Sequence, residues 1–539
     1  MLQFNMKTIN KLTAAICGTV LAGGMLLSSC TDSFKEMALD PNEATREQMD
    51  QDNLMTGSFF TQMLRSTFVV GQDQGGTYQI EEMLQGGNFA GYFASIKDSY
   101  NVVGNRHADH YNMQNHWYNM PFNNAYTGIM QPWAEICKVT IETGVDRALA
   151  TVVKVLAMQR ITDKYGPIPY SKFGTDIHVA YDSQEQVYNQ FFEELDNAIT
   201  VLTDYTAANS AAYMAKYDYV YAGDVNKWLK LANTLRLRLA MRVSYVDEAL
   251  ARTNIQKALD CGRFLSSASD NAYIQNAGKF TYTNPIWEVC SSFGDMCMSA
   301  TMEAYLVGLN DPRLAAYFLP ATSDGAYHGM RNGMTSYFTS MPGKVSIPNV
   351  EAESAIAWMN YAEPLFLKAE AKLRFGLGDE EVKDLYEAGI RASMATAGVT
   401  SGVDAYIADA TSVPSTTWIN VAQSNRSTNI ASMVSALTVA WDDAASNDQK
   451  LERLMTQKWI ALYPNGTEAW AEMRRTGYPG WVRINSYSYA DGVASNEMIS
   501  RLRFPSTEYS DNGANVQDAL TLLGGQDNAG TRLWWDVNR

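Results

Sequence analysis

Apolar residues recur at helical spacing over most of this chain, and that periodicity lays out its architecture. Trp133, Ile136, Cys137, Thr140 and Ile141 form one stripe within a helical stretch that begins near Pro121. Residues 147–163 form a second stripe, ending at Tyr165-Gly166-Pro167, where glycine and proline stop a helix. Ser183 with Gln186 reads as a capping box ahead of apolar Val187, Phe191, Leu195, Ile199 and Leu202. Gly223-Asp224 opens a further helix with Trp228, Leu231, Leu235 and Leu239 on one face, and Asp247 to Leu259 follow it. Pro364 suits a first helical turn, and Leu365, Phe366, Ala369 and Leu373 run to Gly376 as a C-terminal cap. Asp379–Ala392, Leu451–Leu462 and Glu468–Thr476 complete the set. Helices of this size, joined in antiparallel pairs, predict a mostly α fold with tetratricopeptide-like helix-pair stacking. The scaffold falls mainly within 121–265 and 355–480.

Three stretches break the pattern. Residues 71–118 and 266–350 are loop-rich, with many aromatics and little periodicity, and 395–448 is Ser-, Thr- and Ala-rich like an insertion. Loops displayed on a helical scaffold are where binding usually resides.

The N-terminus sets the location. Lys7 and Lys11 precede an apolar run from Leu12 to Leu27, followed by Ser28-Ser29-Cys30. The run is shorter than the roughly 20 residues that span a bilayer, so residues 1–29 read as a signal peptide. Leu-small-small-Cys is the pattern of a bacterial lipobox, which makes Cys30 the lipidated new N-terminus. Residues 31 to about 52 are polar and read as a tether, leaving 30–539 as a single domain.

Composition narrows the partners. The 539 residues are 46% hydrophobic and 19% charged, with net charge −16 and no lysine- or arginine-rich block. Nucleic acid is a poor partner for such a surface. Cys137, Cys261, Cys290 and Cys297 are too few and too scattered for a disulfide framework in so long an exported chain. On one helix, Cys290 and Cys297 would stand about 10 Å apart, too far to bridge, so buried thiols are expected.

No nucleophile elbow, H-E-x-x-H, phosphate loop or dinucleotide fingerprint is present, so no catalytic residue and no cofactor is expected. His107, His110 and His116 with Asp109 have spacings that suit a metal, or they decorate a wet loop. Carboxylates are abundant without any pair standing out. Arg236, Arg238 and Arg242 fall on more than one helix face. They and Arg474-Arg475 read best as structural partners of Glu363 or Glu370.

These motifs together resemble the SusD/RagB family of outer-membrane nutrient-binding lipoproteins, in its second SusD-like branch. Ile161-Thr162-Asp163-Lys164-Tyr165-Gly166-Pro167-Ile168-Pro169-Tyr170 is similar to the family's "TD-x-x-G-x-IPYS" turn. Gly223-Asp224, Lys227 to Lys230 and Ala232 to Arg238 resemble its "GD…KW-x-K-x-AN-x-LRLRLAMR" helix. Glu363 with Phe366 to Ala371, then Gln457 to Leu462, Glu468 to Trp470 and Arg474 to Pro479, resemble its later helices. The resemblance implies a surface lipoprotein held in the outer membrane by lipid, serving as the lid of a SusC-like TonB-dependent transporter. It implies oligosaccharide as the typical ligand, with peptides taken by some relatives.

These motifs describe scaffold, so the ligand site has to be sought among aromatics in non-periodic loops. A wet ligand is held by stacking on ring faces with polar groups at its edges. Tyr78 in a Gly-rich loop, Trp287 after Asn284-Pro285, and Tyr327 and Tyr337 beside Gly- and Ser-rich turns are the candidates, with Asn284 or Arg331 as polar partner. Glycan capture, a surface-anchored glycoside hydrolase and oligopeptide capture remain open on the residues alone.

Overall fold

The computed structural model describes residues 53–97, 107–278, 280–334, 341–423 and 426–537. The signal peptide, Cys30, the polar tether and Tyr337 lie outside the described residues. Residues 56–539 belong to one compact unit.

Its longer helices are α1 (Leu54–Thr67), α2 (Asn115–Ala125), α3 (Gln131–Val139), α4 (Val145–Tyr165), α5 (Gln184–Ala208), α6 (Val225–Arg242), α7 (Glu248–Cys261), α8 (Ala300–Gly308), α9 (Ala362–Phe375), α10 (Val382–Thr396), α11 (Asn447–Leu462), α12 (Gly466–Thr476) and α13 (Gly513–Leu523). They pack in the tetratricopeptide-like manner: α4 on α5, α5 on α6, α6 on α7, α9 on α10 and α11 on α12. The described strands are short and pair antiparallel in twos: β1 (Phe93–Ser95) with β3 (Met296–Met298), β2 (Ala272–Ile274) with β6 (Ile356–Met359), β4 (Phe318–Leu319) with β5 (Ile347–Pro348), and β7 (Thr417–Asn420) with β8 (Arg426–Asn429). The fold is therefore mostly α. No helix among the described residues is long and apolar enough to cross a membrane.

Local signals set many helix ends where the sequence expects them. The Ser183 hydroxyl accepts from Gln186 N–H while the Gln186 side chain accepts from Ser183 N–H, closing the capping box. Gly376 takes the left-handed conformation that ends α9. The stripe at 133–141 is cut short, however. Helix α3 stops at Val139, Thr140 turns extended, and Ile141 is 71% exposed.

The interior is aromatic and ionic at once. Trp228, Trp358, Trp459, Trp470 and Trp535 are fully buried, as are Arg238, Arg242, Arg474 and Arg475. Arg238 binds Glu363 in a two-bond fork at 2.6 and 2.7 Å. Arg475 does the same with Glu370, at 2.6 and 2.7 Å, and adds Glu472 at 2.6 Å. Arg242 joins Glu468 to Asp163, and Lys458 reaches Glu472 at 2.7 Å. These planar forks suit guanidinium and carboxylate geometry. They tie α4, α6, α9, α11 and α12 together through charge. The expected Glu363 and Glu370 partners hold for Arg238 and Arg475. The remaining arginines differ, because each meets a different neighbour: Arg236 pairs with Asp196. Arg474 donates to the backbone oxygens of Asp163 and Ser500 and lies over Trp470.

The two non-periodic stretches are not simply displayed loops. Residues 79–96 are buried almost throughout, in a π-helical turn (Gln79–Gly87) packed on α12 and in β1. Contact there is backbone to backbone: a Cβ on Gly466 would collide with Gly87, and one on Gly86 with Thr467. A turn enclosed on all sides has no solvent-facing side, and its polar residues pair inward, as Glu82 does with Arg160, so no amphipathic period marks it. Residues 266–350 hold α8 and four short strands among their loops. Cys290 and Cys297 are free and buried, but on a π turn and on β3 rather than on one helix. Cys137 and Cys261 are half-exposed, contrary to the expectation of buried thiols.

Candidate functional site

The structure separates the residues chosen from sequence. Tyr78 is 4% exposed and packed in the core, where burial pushes its hydroxyl well above the usual tyrosine range. It is therefore not an open stacking platform. Asn284 is equally buried and serves as a cap. Its Oδ1 accepts from the N–H groups of Ile286 (2.9 Å) and Trp287 (3.3 Å), and its amide donates to Ser354 O at 3.0 Å. Both ends of its side chain are thus engaged within the protein. Trp287 is half-buried on the same short turn, next to the turn that holds Tyr78. Tyr327 is half-buried and packs against the main core. Arg331 donates to the backbone oxygens of Arg483 (2.7 Å) and Ile484 (3.4 Å), and burial pulls its guanidinium below the usual arginine range.

Arg331 leads to a different face. Three segments, 107–112, 331–333 and 481–491, are bonded into one rim. Asn485 N–H donates to Asn332 O at 2.8 Å. Gly333 holds φ +75 there, and a Cβ on it would meet Asn485 N at 2.9 Å, so only glycine allows the approach. The Asn112 amide donates to Tyr489 O at 2.8 Å, and Asp491 N–H to Tyr111 O at 3.3 Å. Ring contacts follow: His110 stands edge-on to Tyr489 at 5.7 Å, and Tyr111 edge-on to Tyr487 at 6.1 Å. Arg483 lies over Trp481 at 5.4 Å. Trp481 and Tyr487 are half-buried and Tyr489 is 38% exposed.

The base of the rim is buried. His107 Nδ1 accepts from Asp109 N–H at 3.0 Å, which requires a neutral ring, and burial lowers its pKa to about 4. The 3.8 Å approach of that nitrogen to the Asp109 carboxylate is thus not an ion pair at neutral pH. Asp109 is buried and takes a hydrogen bond from the Asn88 amide, and burial raises its pKa to about 6. The histidines do not decorate a wet loop: His107 and His110 are buried, while His116 is exposed and packs on Trp117. No group of three potential metal ligands occurs among the described residues.

This arrangement offers ring faces with polar edges beside a guanidinium, which suits a hydroxyl-rich ring. The carboxylates beside it, Asp109 and Asp491, are engaged with Asn88 and Arg503. Sequence reasoning missed Trp481, Tyr487 and Tyr489. The signal was present in Pro479-Gly480-Trp481 and Ser486-Tyr487-Ser488-Tyr489, aromatics among small polar residues with no helical period.

A family model described as SusD-like, "Susd and RagB outer membrane lipoprotein", matches residues 36–536. Among solved structures, a chitin-binding SusD homolog from Flavobacterium johnsoniae is 36% identical, with a TM-score of 0.84 over 90% of this chain and 99% of that one. A SusD homolog from Bacteroides uniformis is 35% identical, with a TM-score of 0.81 over 90% and 99%. One from Bacteroides vulgatus is 31% identical, with a TM-score of 0.82 over 90% and 98%. No curated protein matches this chain.

Proposed function

This chain belongs to the SusD/RagB family of outer-membrane lipoproteins, and from that premise we propose that it is a non-catalytic receptor for oligosaccharide. It captures glycan outside the cell and delivers it to a SusC-like TonB-dependent transporter. The observation behind this reading is the rim of Trp481, Tyr487 and Tyr489 with Arg483, built on a buried base. The relative named as chitin-binding makes oligomers of N-acetylglucosamine the first ligand to test. Trp287 and Tyr327, both half-buried, remain secondary candidates for the same ligand.

Anchoring in this reading comes from lipidated Cys30, the new N-terminus once residues 1–29 are removed, with 30–539 acting as one domain at the cell exterior. Binding without turnover distinguishes the receptor from a surface-anchored hydrolase. Chitohexaose and a wider soluble glycan panel should titrate calorimetrically, and prolonged incubation should release no new reducing ends. New reducing ends would identify a hydrolase, and binding confined to a parallel peptide panel would identify an oligopeptide receptor.

A further inference from the structure

Away from the rim, a cavity of about 450 Å³ opens among α3, α4 and α5. Trp133 of α3 stands in its wall, half-buried. The ring is fixed from two directions: its N–H donates to Thr151 Oγ1 at 3.3 Å, and the Lys154 ammonium sits 3.6 Å from the ring centroid. Glu194 of α5 lines the same cavity. Its Oε1 accepts from Lys154 (2.7 Å) and Gln190 (3.2 Å), and its Oε2 accepts from the Tyr170 hydroxyl (2.6 Å). Each carboxylate oxygen has two acceptor directions, so Oε2 keeps one. The Glu194 side chain is 15% exposed, enough to be reached from the cavity. Arg147 and Asn197 add a guanidinium and an amide to the wall.

An indole with locked orientation, beside a held carboxylate, two amides and a guanidinium, is the chemistry that receives a sugar ring. The ring's apolar face stacks on the indole and its hydroxyls bond at the edges. The indole and the carboxylate are set by contacts within the protein, so little ordering of these two groups is left for the ligand to impose. We propose that this cavity is a second saccharide site, taking a short stretch of the same glycan that binds at the rim. The proposal rests on the glycan-binding reading of the rim. Two sites on one chain raise retention on a polymer through effective concentration, with no gain for a ligand too short to reach both.

The test is titration of chitohexaose into the purified full chain and into two variants. Asn197→Trp places a large ring at the exposed mouth of the cavity and leaves the core untouched; Trp133→Ala removes the platform. Two sites per chain are expected in the parent protein and one in Asn197→Trp, with at least a fivefold loss of retention on insoluble chitin. Trp133→Ala should lose the same site, and the matching behaviour of Asn197→Trp guards against a folding defect. Two sites retained in a folded Asn197→Trp protein, or a single site unaffected by it, overturns the second site while the rim reading stands. A single site abolished by Asn197→Trp overturns the two-site proposal together with the rim reading, because the cavity would then be the first site and not a second. Failure of the parent protein to bind any glycan removes both.

Discussion

Changing Glu370 to glutamine keeps the shape of the buried network but removes one of its charges. Glu370 is fully buried, with its oxygens accepting from Arg475 at 2.6 and 2.7 Å and from Arg374 at 2.8 Å. Glutamine fills the same volume, so no cavity term enters. Its NH2 group turns donors toward a guanidinium where an oxygen accepted before, and Glu472 is left as the one carboxylate bonded to Arg475. Removing one partner of a buried pair costs about 3–5 kcal/mol, and the surviving Glu472 contact places this case near the lower end. The neighbouring guanidinium of Arg475 holds Glu370 below the usual carboxylate range against the opposing effect of burial. A lowered carboxylate contributes stability above its unfolded pKa, about 4.3, and loses it as pH falls through the folded value. The deficit of Glu370→Gln should therefore be full at pH 7.5 and shrink below about pH 4.5. Guanidinium unfolding followed by tryptophan fluorescence at both pH values measures it, read as a shift in midpoint. A deficit under about 1 kcal/mol at pH 7.5, or a larger deficit in acid, would refute the view that this network carries ionised partners.

Three further outcomes are expected. Leu235 is fully buried on α6, and Leu235→Ala should lower stability by about 2–5 kcal/mol in the same unfolding assay. Glu303 of α8 accepts from Gly329 N–H at 2.7 Å, and burial raises its pKa to about 7. The folded state then binds the proton more tightly, so Glu303 destabilises progressively from about pH 4.5 to 7; Glu303→Gln should gain about 1–3 kcal/mol on the parent at pH 8 and little at pH 5. Cys30→Ala should release the protein from the membrane fraction, and unchanged sedimentation with outer membrane would remove the lipidation site.

Legibility followed locality. Helix ends written in adjacent residues, such as Ser183 with Gln186 or Gly376, could be read because their hydrogen bonds close within a turn. Arg236, Arg238 and Arg242 looked dispersed because they point to different faces of α6; Arg238 and Arg242 meet carboxylates from other helices in the interior. The segment 79–96 was opaque because it is buried on all sides and turns irregularly. Site residues were harder still. Asn284 before Pro285 signals a helix start, and the structure uses it as that cap. Tyr78 follows two glycines yet is packed in the core, and sequence cannot separate that from display. Tyr489 gains its meaning only from the distant contact with His110.

Glycan binding at the rim is tested most directly by one titration. Chitohexaose is titrated calorimetrically into the parent protein and into the Trp481→Ala/Tyr489→Ala variant, with unfolding midpoints confirming that both are folded. Each stacking platform contributes about 0.5–1.5 kcal/mol beyond its buried area, so losing two should weaken rim binding by at least about fivefold. Unchanged affinity and stoichiometry in the folded variant would contradict the claim.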